Sequence, residues 1–321
     1  MKITNTKRNV LTTLTLVFSL YYTGCAPQAQ SAAATGKGET DFEQSSNIVG
    51  GQSASASFQM QNGIVALAIT VRGAQPHQGG LFLCTGTLID TRIVLTAAHC
   101  LQAPKNMKIT NIDVYFIPNI QSSLKLGSLN NSIPADKIKT NADFLKDITD
   151  KTDNTVAWND IALIRLKTNA PSSFKTVNLP KIADAVKVLE SDKLILSGFG
   201  VATAIVNKTE VNLKTGGTEV VPVPEESDTS GILRIIENIS VLKEANEKEI
   251  ILDQSNSTGA CHGDSGGPAF LKQKDGSLLQ VGLTSRGTNF IGNCNEKAIY
   301  TNLTAHLTWI ESTKNDLLKA Q

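Results

Sequence analysis

The sequence predicts an all-β protein with one helix at its C-terminal end, on the basis of three observations. Short apolar runs recur along the chain and are separated by turn residues. No regular helical period lies between these runs, which indicates an antiparallel β sandwich or barrel system. In the last segment, apolar residues return at near-helical spacing, and this predicts a helix that docks one apolar stripe on the body.

Nine of these runs are examples of the expected strands. Their predicted ranges are 63–71, 81–89, 93–96, 114–117, 161–166, 194–197, 232–239, 280–284 and 298–303. Residues 201–230 have no clear period and are rich in Gly, Pro and Glu, so we expect a long surface loop there. The closing helix is indicated by Leu303, Leu307, Ile310, Leu317 and Leu318.

Composition limits the classes of function. The chain has 321 residues, of which 40% are hydrophobic, and this is enough apolar material for a large core. Its 30 basic and 29 acidic side chains give a net charge of +1, which argues against nucleic acid or an acidic membrane surface as a partner. No spacing typical of a metal site or of a phosphate-binding loop is present, so no cofactor and no metal is expected.

The N-terminal segment predicts export. Lys2, Lys7 and Arg8 precede an apolar stretch over 10–22, which is the profile of a secretory signal and is too short for a bilayer span. A buried N-terminal helix is the less favoured alternative. Residues 26–47 are rich in small and polar types and are expected to form a flexible pro-segment or linker, and the apolar content rises at Ile48.

The end of the predicted signal resembles a bacterial lipobox. Tyr22-Thr23-Gly24-Cys25 has the small residues and the cysteine, although Tyr22 stands where leucine is usual. The resemblance implies that Cys25 carries a lipid, which would place the protein in the periplasm or at the outer membrane. The alternative is ordinary signal cleavage further along the chain, after residues 32–34, followed by secretion. The expected divisions are therefore a signal over 1–25, a pro-segment over 26–47 and a folded domain over 48–321.

Three short strings contain the residue types of nucleophilic catalysis. They are Leu95-Thr96-Ala97-Ala98-His99-Cys100, Asn159-Asp160-Ile161-Ala162-Leu163 and Gly263-Asp264-Ser265-Gly266-Gly267-Pro268. A serine hydroxyl needs a base within hydrogen-bond reach, and imidazole suits that work near neutral pH. A carboxylate on the other ring nitrogen would fix the tautomer. Each string has a plain structural reading alone, but their joint occurrence favours catalysis.

These strings strongly resemble those of the chymotrypsin-like (trypsin-fold) serine peptidases, in the order histidine, aspartate, serine. The resemblance runs from Ile48 to the final helix and implies two packed six-stranded antiparallel β-barrels with a C-terminal α-helix. It implies a serine endopeptidase that works through an acyl-enzyme. The implied triad is His99, Asp160 and Ser265, and the implied oxyanion hole is formed by the N–H groups of Gly263 and Ser265.

The same resemblance implies a zymogen. In the family, cleavage before the Ile48-Val49-Gly50-Gly51 string frees an amino group that pairs with the aspartate before the nucleophile, here Asp264. The residue before that bond is Asn47 and not arginine or lysine. An activating protease of trypsin-like preference is therefore not expected, and the activator stays unidentified.

The resemblance also assigns a specificity pocket. Its residues are Gly259, Ser285, Gly287 and Ala298. Gly259 stands at the floor position, where an aspartate would recruit arginine or lysine, so an apolar or small residue is expected before the cut bond. Arg286 departs from the usual tryptophan of the wall strand and puts the neighbouring subsites in question.

Five cysteines are present, which is an odd number. By resemblance, Cys84 pairs with Cys100 and Cys261 pairs with Cys294, as an exported chain permits. Cys25 is then left over, which favours the lipobox, and loss of a free thiol with the signal or pro-segment is the alternative.

The motifs are compatible with three functions. The leading one is an exported endopeptidase, expected to be a monomer, that acts on protein or peptide substrates. The first alternative is a catalytically silent binding or adhesion protein on the same scaffold, although such proteins usually lose a triad member or the activation string. The second is an esterase, because the acylation steps of ester and peptide hydrolysis are shared.

Overall fold

The computed structural model describes most of the chain beyond the predicted pro-segment. The described ranges are 48–75, 78–126, 130–144, 158–184, 186–202, 205–211, 217–224, 229–256, 258–288 and 294–320. The predictions for the signal over 1–25, for Cys25, for the segment 26–47 and for Asn47 lie outside these residues.

Strands dominate the described residues. In chain order, the elements are β1 Gln52–Ser53, α1 Ala56–Gln61, β2 Ile64–Gly73, β3 Gly79–Asp90, β4 Ile93–Thr96, β5 Met107–Tyr115, α2 Gln121–Leu126, β6 Ser132–Thr140, β7 Ala162–Leu166, β8 Lys193–Gly198, β9 Ile205–Val211, β10 Thr218–Pro224, β11 Arg234–Ser240, β12 Glu249–Asp253, β13 Pro268–Lys272, β14 Leu278–Gly287, β15 Lys297–Asn302 and α3 Leu307–Lys319. Short 3₁₀ helices cover His99–Leu101, Ile182–Asp184 and Leu303–His306.

The first half of the described chain forms a closed antiparallel barrel, with the strand order β2-β3-β4-β7-β6-β5. Its buried core cluster includes the aliphatic side chains of Val65, Leu95, Leu163 and Ile164, all fully buried. Strands β4 and β7 lie side by side, with Leu95 opposite Leu163. This pairing brings the residue after β4 and the residues before β7 to the same end of the barrel.

The second half forms a seven-stranded antiparallel sheet in the order β1-β11-β8-β13-β14-β15-β12. The expected all-β architecture is confirmed, but the second sheet has seven strands instead of six. The additional strand is β1, whose two residues pair with Arg234 and Ile235 of β11. An isolated antiparallel bridge between Val241 and Leu252 links the two ends of the remaining six strands.

The nine predicted strands are all present, with shifted ends, and β4 has the predicted bounds. The loop expected over 201–230 is wrong in part, because β9 and β10 pair there as an antiparallel hairpin with Val206 opposite Val223. Four of the seven residues of β9 are β-branched, namely Ile205, Val206, Thr209 and Val211, and this composition favours a strand.

The C-terminal helix α3 is confirmed and packs against the first barrel. Leu307, Ile310 and Leu317 are buried, whereas Leu318 is 40% exposed and lies outside the apolar stripe. Arg165 of β7 donates to the carbonyl oxygens of Leu317 and Ala320 and so holds the end of the helix. None of the helices in the described ranges is long and apolar enough to cross a membrane.

Candidate active site

His99 and Asp160 are joined by two hydrogen bonds at one end of the first barrel. His99 lies three residues after the end of β4 and begins a 3₁₀ helix, whereas Asp160 lies two residues before the start of β7. The His99 Nδ1–H donates to Asp160 Oδ2 at 2.7 Å, and the His99 backbone N–H donates to Asp160 Oδ1 at 2.9 Å. Both carboxylate oxygens therefore fix the histidine, one at its ring and one at its backbone.

The Asp160 carboxylate is buried but has several donors. Besides His99, the Ser285 hydroxyl donates to Oδ2 at 2.7 Å, and the Thr301 hydroxyl donates to the Asp160 carbonyl oxygen at 3.1 Å. Burial raises the pKa of Asp160, but the attraction of His99 and the hydrogen bonds from His99 and Ser285 outweigh it, so its pKa lies below the usual value. The carboxylate is therefore ionised at neutral pH.

The imidazole of His99 responds to the same contacts. Burial lowers the pKa of His99, but attraction to Asp160 and the hydrogen bond with it have the larger combined effect, so its pKa lies above 6.5. Because Nδ1–H is directed at Asp160, Nε2 is the ring nitrogen that can accept a proton. The pair has the arrangement of a general base held in one tautomer.

Ser265 comes from the second sheet and lies on the same cavity walls as His99. Two cavities meet at the site, and both are lined by His99 and Ser265. The serine lies three residues before β13, where the Thr85 N–H donates to its carbonyl oxygen at 2.8 Å. Thr85 belongs to β3, so a residue of the first barrel holds the serine loop of the second sheet.

Thr85 is a positioning residue that the sequence did not indicate. Its hydroxyl donates to the Gly263 carbonyl oxygen at 3.0 Å and accepts from the Phe199 N–H at 3.0 Å. Gly263 has a φ of +97°, a backbone conformation that glycine adopts without steric cost. Since these contacts turn the Gly263 carbonyl toward Thr85, they orient the peptide next to the proposed oxyanion donors.

Asp264 is fully buried beside the serine. The Gly200 N–H donates to its Oδ1 at 2.7 Å, and the Cys261 N–H donates to its Oδ2 at 2.9 Å. Burial raises the pKa of Asp264 to about 6, against the lowering effect of these two hydrogen bonds and of the nearby Arg234 charge. Two backbone donors therefore stabilise the carboxylate only in part.

The residues of the predicted activation string lie close to the pocket. Ile48 is only 1% exposed. Val49 forms an antiparallel bridge with Gly259, whose N–H donates to the Val49 carbonyl oxygen at 2.8 Å. Ile48 has a φ of +49°, which is unusual and unfavourable for a β-branched residue.

The first cavity has a volume of about 280 Å³, and its walls include Ser285, Gly287 and Ala298, three of the residues that the resemblance assigns to a specificity pocket. Gly259, expected at the floor, is not among the described residues that line it. The Gln254 side chain does line the cavity, and it lies against Gly259, because a Cβ on Gly259 would overlap the Gln254 carboxamide.

Gln254 is a buried residue that no sequence pattern singled out. Its Nε2 donates to the carbonyl oxygens of Ala260 and Cys294 at 3.0 and 3.1 Å, and its Oε1 accepts from the Ala260 N–H at 2.8 Å. The carboxamide thus links two segments of the cavity lining and contributes an uncharged polar group to it.

Arg286, the departure noted in the wall strand, is held by an ion pair. Its Nη2 lies 2.7 Å from Glu249 Oε1, and Glu249 is buried at the start of β12. The charge of Arg286 is therefore balanced within the protein. The second cavity is about 540 Å³ in volume, and its walls include Leu81 and Phe82, each about half exposed.

Both disulfides implied by the resemblance are formed in the described chain. Cys84 of β3 is bonded to Cys100, the residue after His99. Cys261 is bonded to Cys294 across the first cavity. One disulfide therefore holds the segment with the histidine, and the other closes the loop with the serine.

Comparisons with known proteins agree with this geometry. The family model described as Trypsin matches residues 64–310. A chymotrypsin of Phaedon cochleariae is 27% identical over 232 residues, which cover 71% of each chain. A urokinase-type plasminogen activator of Gallus gallus is 27% identical over 286 residues, 87% of this chain and 60% of that protein. Among solved structures, HL collagenase has a TM-score of 0.58 at 19% identity and covers 84% of this chain and 99% of its own. That likeness concerns the fold.

Proposed function

The chain belongs to the trypsin family of serine endopeptidases, and on that premise we propose that it hydrolyses peptide bonds through His99, Asp160 and Ser265. The observation that carries the proposal is the doubly hydrogen-bonded His99–Asp160 pair, whose histidine lies on the cavity walls that also contain Ser265. A residue from each sheet is needed, so the cleft between the sheets is the proposed place of reaction.

The proposed reaction follows from the roles of these groups. His99 Nε2 takes the proton of the Ser265 hydroxyl while the serine oxygen attacks the substrate carbonyl carbon. Asp160 stabilises the resulting imidazolium, because its carboxylate stays ionised and accepts from Nδ1–H. The imidazolium then protonates the leaving amine, which gives an acyl-enzyme that water hydrolyses with His99 as the base.

Charge on the attacked carbonyl oxygen needs donors as well. We assign this role to the backbone N–H groups of Gly263 and Ser265. The support is the left-handed backbone at Gly263, together with the contacts that hold the neighbouring carbonyl oxygens of Gly263 and Ser265 on Thr85. Removing one such donor typically lowers turnover about 10²–10³-fold.

The proposed preference before the cut bond is an uncharged side chain of small or medium size. The cavity of about 280 Å³ is lined by the Gln254 carboxamide and by Ser285, Gly287 and Ala298. Among the described lining residues, the one carboxylate, that of Glu296, is accompanied by the cations Arg286 and Lys297. A cationic side chain would therefore be desolvated there without an excess of negative charge, which is unfavourable. Hydrolysis of a set of peptides that differ only at this position tests the preference, and a clear preference for arginine or lysine would contradict it.

Activation by cleavage before Ile48 is proposed on the contacts of the uncut chain. Ile48 is buried beside the pocket, and its positive φ involves the carbonyl group of Asn47. Cleavage removes that carbonyl group and with it a strain of about 1–3 kcal/mol. The new ammonium group would offer Asp264 a partner. N-terminal sequencing of active protein should begin at Ile48.

The other proposals concern the cell and the partners. The protein is proposed to be exported as a monomer, with the segment up to Asn47 removed by an activating protease. Lipidation of Cys25 would anchor the uncut form, and cleavage before Ile48 would then release the domain. Membrane fractionation of the wild type and of Cys25→Ala, before and after cleavage, tests this order of events.

Labelling with a serine-directed phosphonate tests the proposed function. The wild type, Ser265→Ala and the control Ser277→Ala, a serine in the turn between β13 and β14, are compared after cleavage before Ile48. We expect label on the wild type and the control and none on Ser265→Ala. An unlabelled wild type would instead favour the binding-protein alternative. Comparing an amide with the matching ester as substrates separates a peptidase from an esterase.

A further inference from the structure

Arg234 is a buried cation that the reaction just described does not use. It opens β11 and is only 1% exposed, which makes it one of the largest fully buried side chains. Burial lowers the pKa of Arg234, and the attraction of Asp264 opposes that effect. A buried guanidinium group is unfavourable unless an anion and hydrogen-bond acceptors balance it. Its position therefore calls for a reason beyond packing.

Gly200 links Arg234 to Asp264. Arg234 Nη1 donates to the Gly200 carbonyl oxygen at 2.9 Å, and the Gly200 N–H donates to Asp264 Oδ1 at 2.7 Å. A second, longer hydrogen bond from Nη1 reaches the Ile232 carbonyl oxygen at 3.4 Å. The guanidinium and the carboxylate thus hold opposite ends of the same residue. Arg234 Nε has no hydrogen-bond partner within the described ranges.

The site around Asp264 leaves little room for solvent. A Cβ atom on either Gly198 or Gly200 would overlap the Asp264 carboxylate, so both glycines lie directly against it. Water therefore cannot readily replace a missing counter-charge. Of the described ionisable groups, Arg234 is the cation whose charge acts favourably on Asp264.

The same contacts lead to the proposed oxyanion donors. Asp264 lies between Gly263 and Ser265 in the sequence. A Cβ atom on Gly263 would lie 2.9 Å from the Gly200 Cα, so the two glycines are packed backbone against backbone. A shift of Gly200 would therefore move the loop that presents these N–H groups. Arg234 can act on this loop through Gly200 without contacting a substrate.

We propose that Arg234 is a positioning residue that holds Asp264 and Gly200 in place in the uncut chain, so that the single-chain protein has a formed oxyanion hole and is partly active before cleavage. The inference rests on the proposed function. In the uncut chain, the nitrogen of Ile48 is an uncharged amide, so Arg234 supplies the positive charge. After cleavage, the ammonium group of Ile48 supplies a second positive charge near Asp264, so the loop depends less on Arg234.

The test uses the full chain with its pro-segment, labelled with a serine-directed phosphonate and analysed by intact mass spectrometry. The uncut and cut forms differ in mass, so one sample gives both labelling rates. We expect measurable labelling of the uncut wild type. Arg234→Gln should slow labelling of the uncut form about tenfold or more and that of the cut form less than about threefold. Arg234→Lys, which keeps the charge, should restore much of the rate.

The control is Arg165→Gln, which removes another buried arginine, one that donates to the Leu317 carbonyl oxygen at the end of α3. It should leave the ratio of the two rates unchanged. Equal slowing of both forms by Arg234→Gln would assign Arg234 a merely structural role and overturn the proposal. If Arg234→Gln does not fold, the wild type alone still tests the proposal. Labelling of the cut wild type together with no labelling of the uncut wild type would overturn the proposal. Absence of label on both forms would instead contradict the proposed function.

Discussion

The buried carboxylate of Asp264 predicts that the uncut protein loses stability as the pH rises. Its pKa is raised from 3.8 to about 6, mainly by burial. A carboxyl group with a raised pKa in the folded state binds its proton more tightly than in the unfolded chain. The stability from this proton is therefore fully present below about pH 3.8 and is lost as the pH rises through about 6.

The size of the effect follows from the two pKa values. A difference of about two pKa units corresponds to a free energy of unfolding of about 3 kcal/mol between the ends of this window. Asp264→Asn removes the titration, so the difference in stability between wild type and variant should change by this amount with pH. The variant also loses stability because its contacts with Gly200 and Cys261 are changed. This loss does not depend on pH, so it does not affect how the stability difference varies with pH.

The assay is denaturant unfolding of the uncut chain between pH 4 and pH 8, with Ser265→Ala present in every variant to prevent self-digestion. Asp275→Asn is the matched control, because hydrogen bonds from Ser277 lower the pKa of Asp275 and give a dependence of opposite sign. If the difference in the free energy of unfolding between the wild type and Asp264→Asn stays constant from pH 4 to pH 8, the reasoning is refuted. After cleavage before Ile48, the new ammonium group should reduce the slope.

Three further predictions concern catalysis and the pocket. Activity of the cut form should fall as His99 becomes protonated, with a midpoint above 6.5 because Asp160 raises its pKa, and a rate profile that is flat down to pH 4 would contradict the histidine base. Ser285→Ala removes a hydrogen bond to the Asp160 carboxylate and should lower kcat about tenfold with little change in KM, whereas an unchanged kcat would show that His99 alone orients Asp160. Gly259→Ala should lower the free energy of unfolding by about 1–3 kcal/mol, because its φ of +139° is unfavourable for alanine and the new methyl group overlaps Gln254. The double variant Gly259→Ala, Gln254→Ala should then lose less than the two single losses together, and simple additivity would contradict the overlap.

The sequence was sufficient to predict the strands with continuous apolar runs. β4 and β7 are buried on both faces, and their sequences show it directly. β6 and β12 are outside the predicted ranges, because β6 has no fully buried position and β12 has only three apolar residues between two acidic ones. Pairing with neighbours that are distant in sequence decides such strands, and no local pattern reports it.

The candidate site shows the same division. His99, Asp160 and Ser265 lie in distinctive strings, so their meeting at one cleft could be expected. Gln254 and Thr85 could not be identified, since their importance comes from hydrogen bonds to residues brought near by folding. The departure at Arg286 was visible in the sequence, but its partner Glu249 became known only from the pairing of distant strands.

The two halves of the described chain have no covalent link apart from the backbone. Cys84–Cys100 lies within the first barrel, and Cys261–Cys294 lies within the half that contains the second sheet. A break between β7 and β8 would give two fragments, one with His99 and Asp160 and the other with Ser265. Because β1 pairs with β11 and α3 packs on the first barrel, the fragments have surfaces with which to reassociate. The protein is thus suited to use as a split reporter, in which hydrolysis would signal that two fused partners have come together.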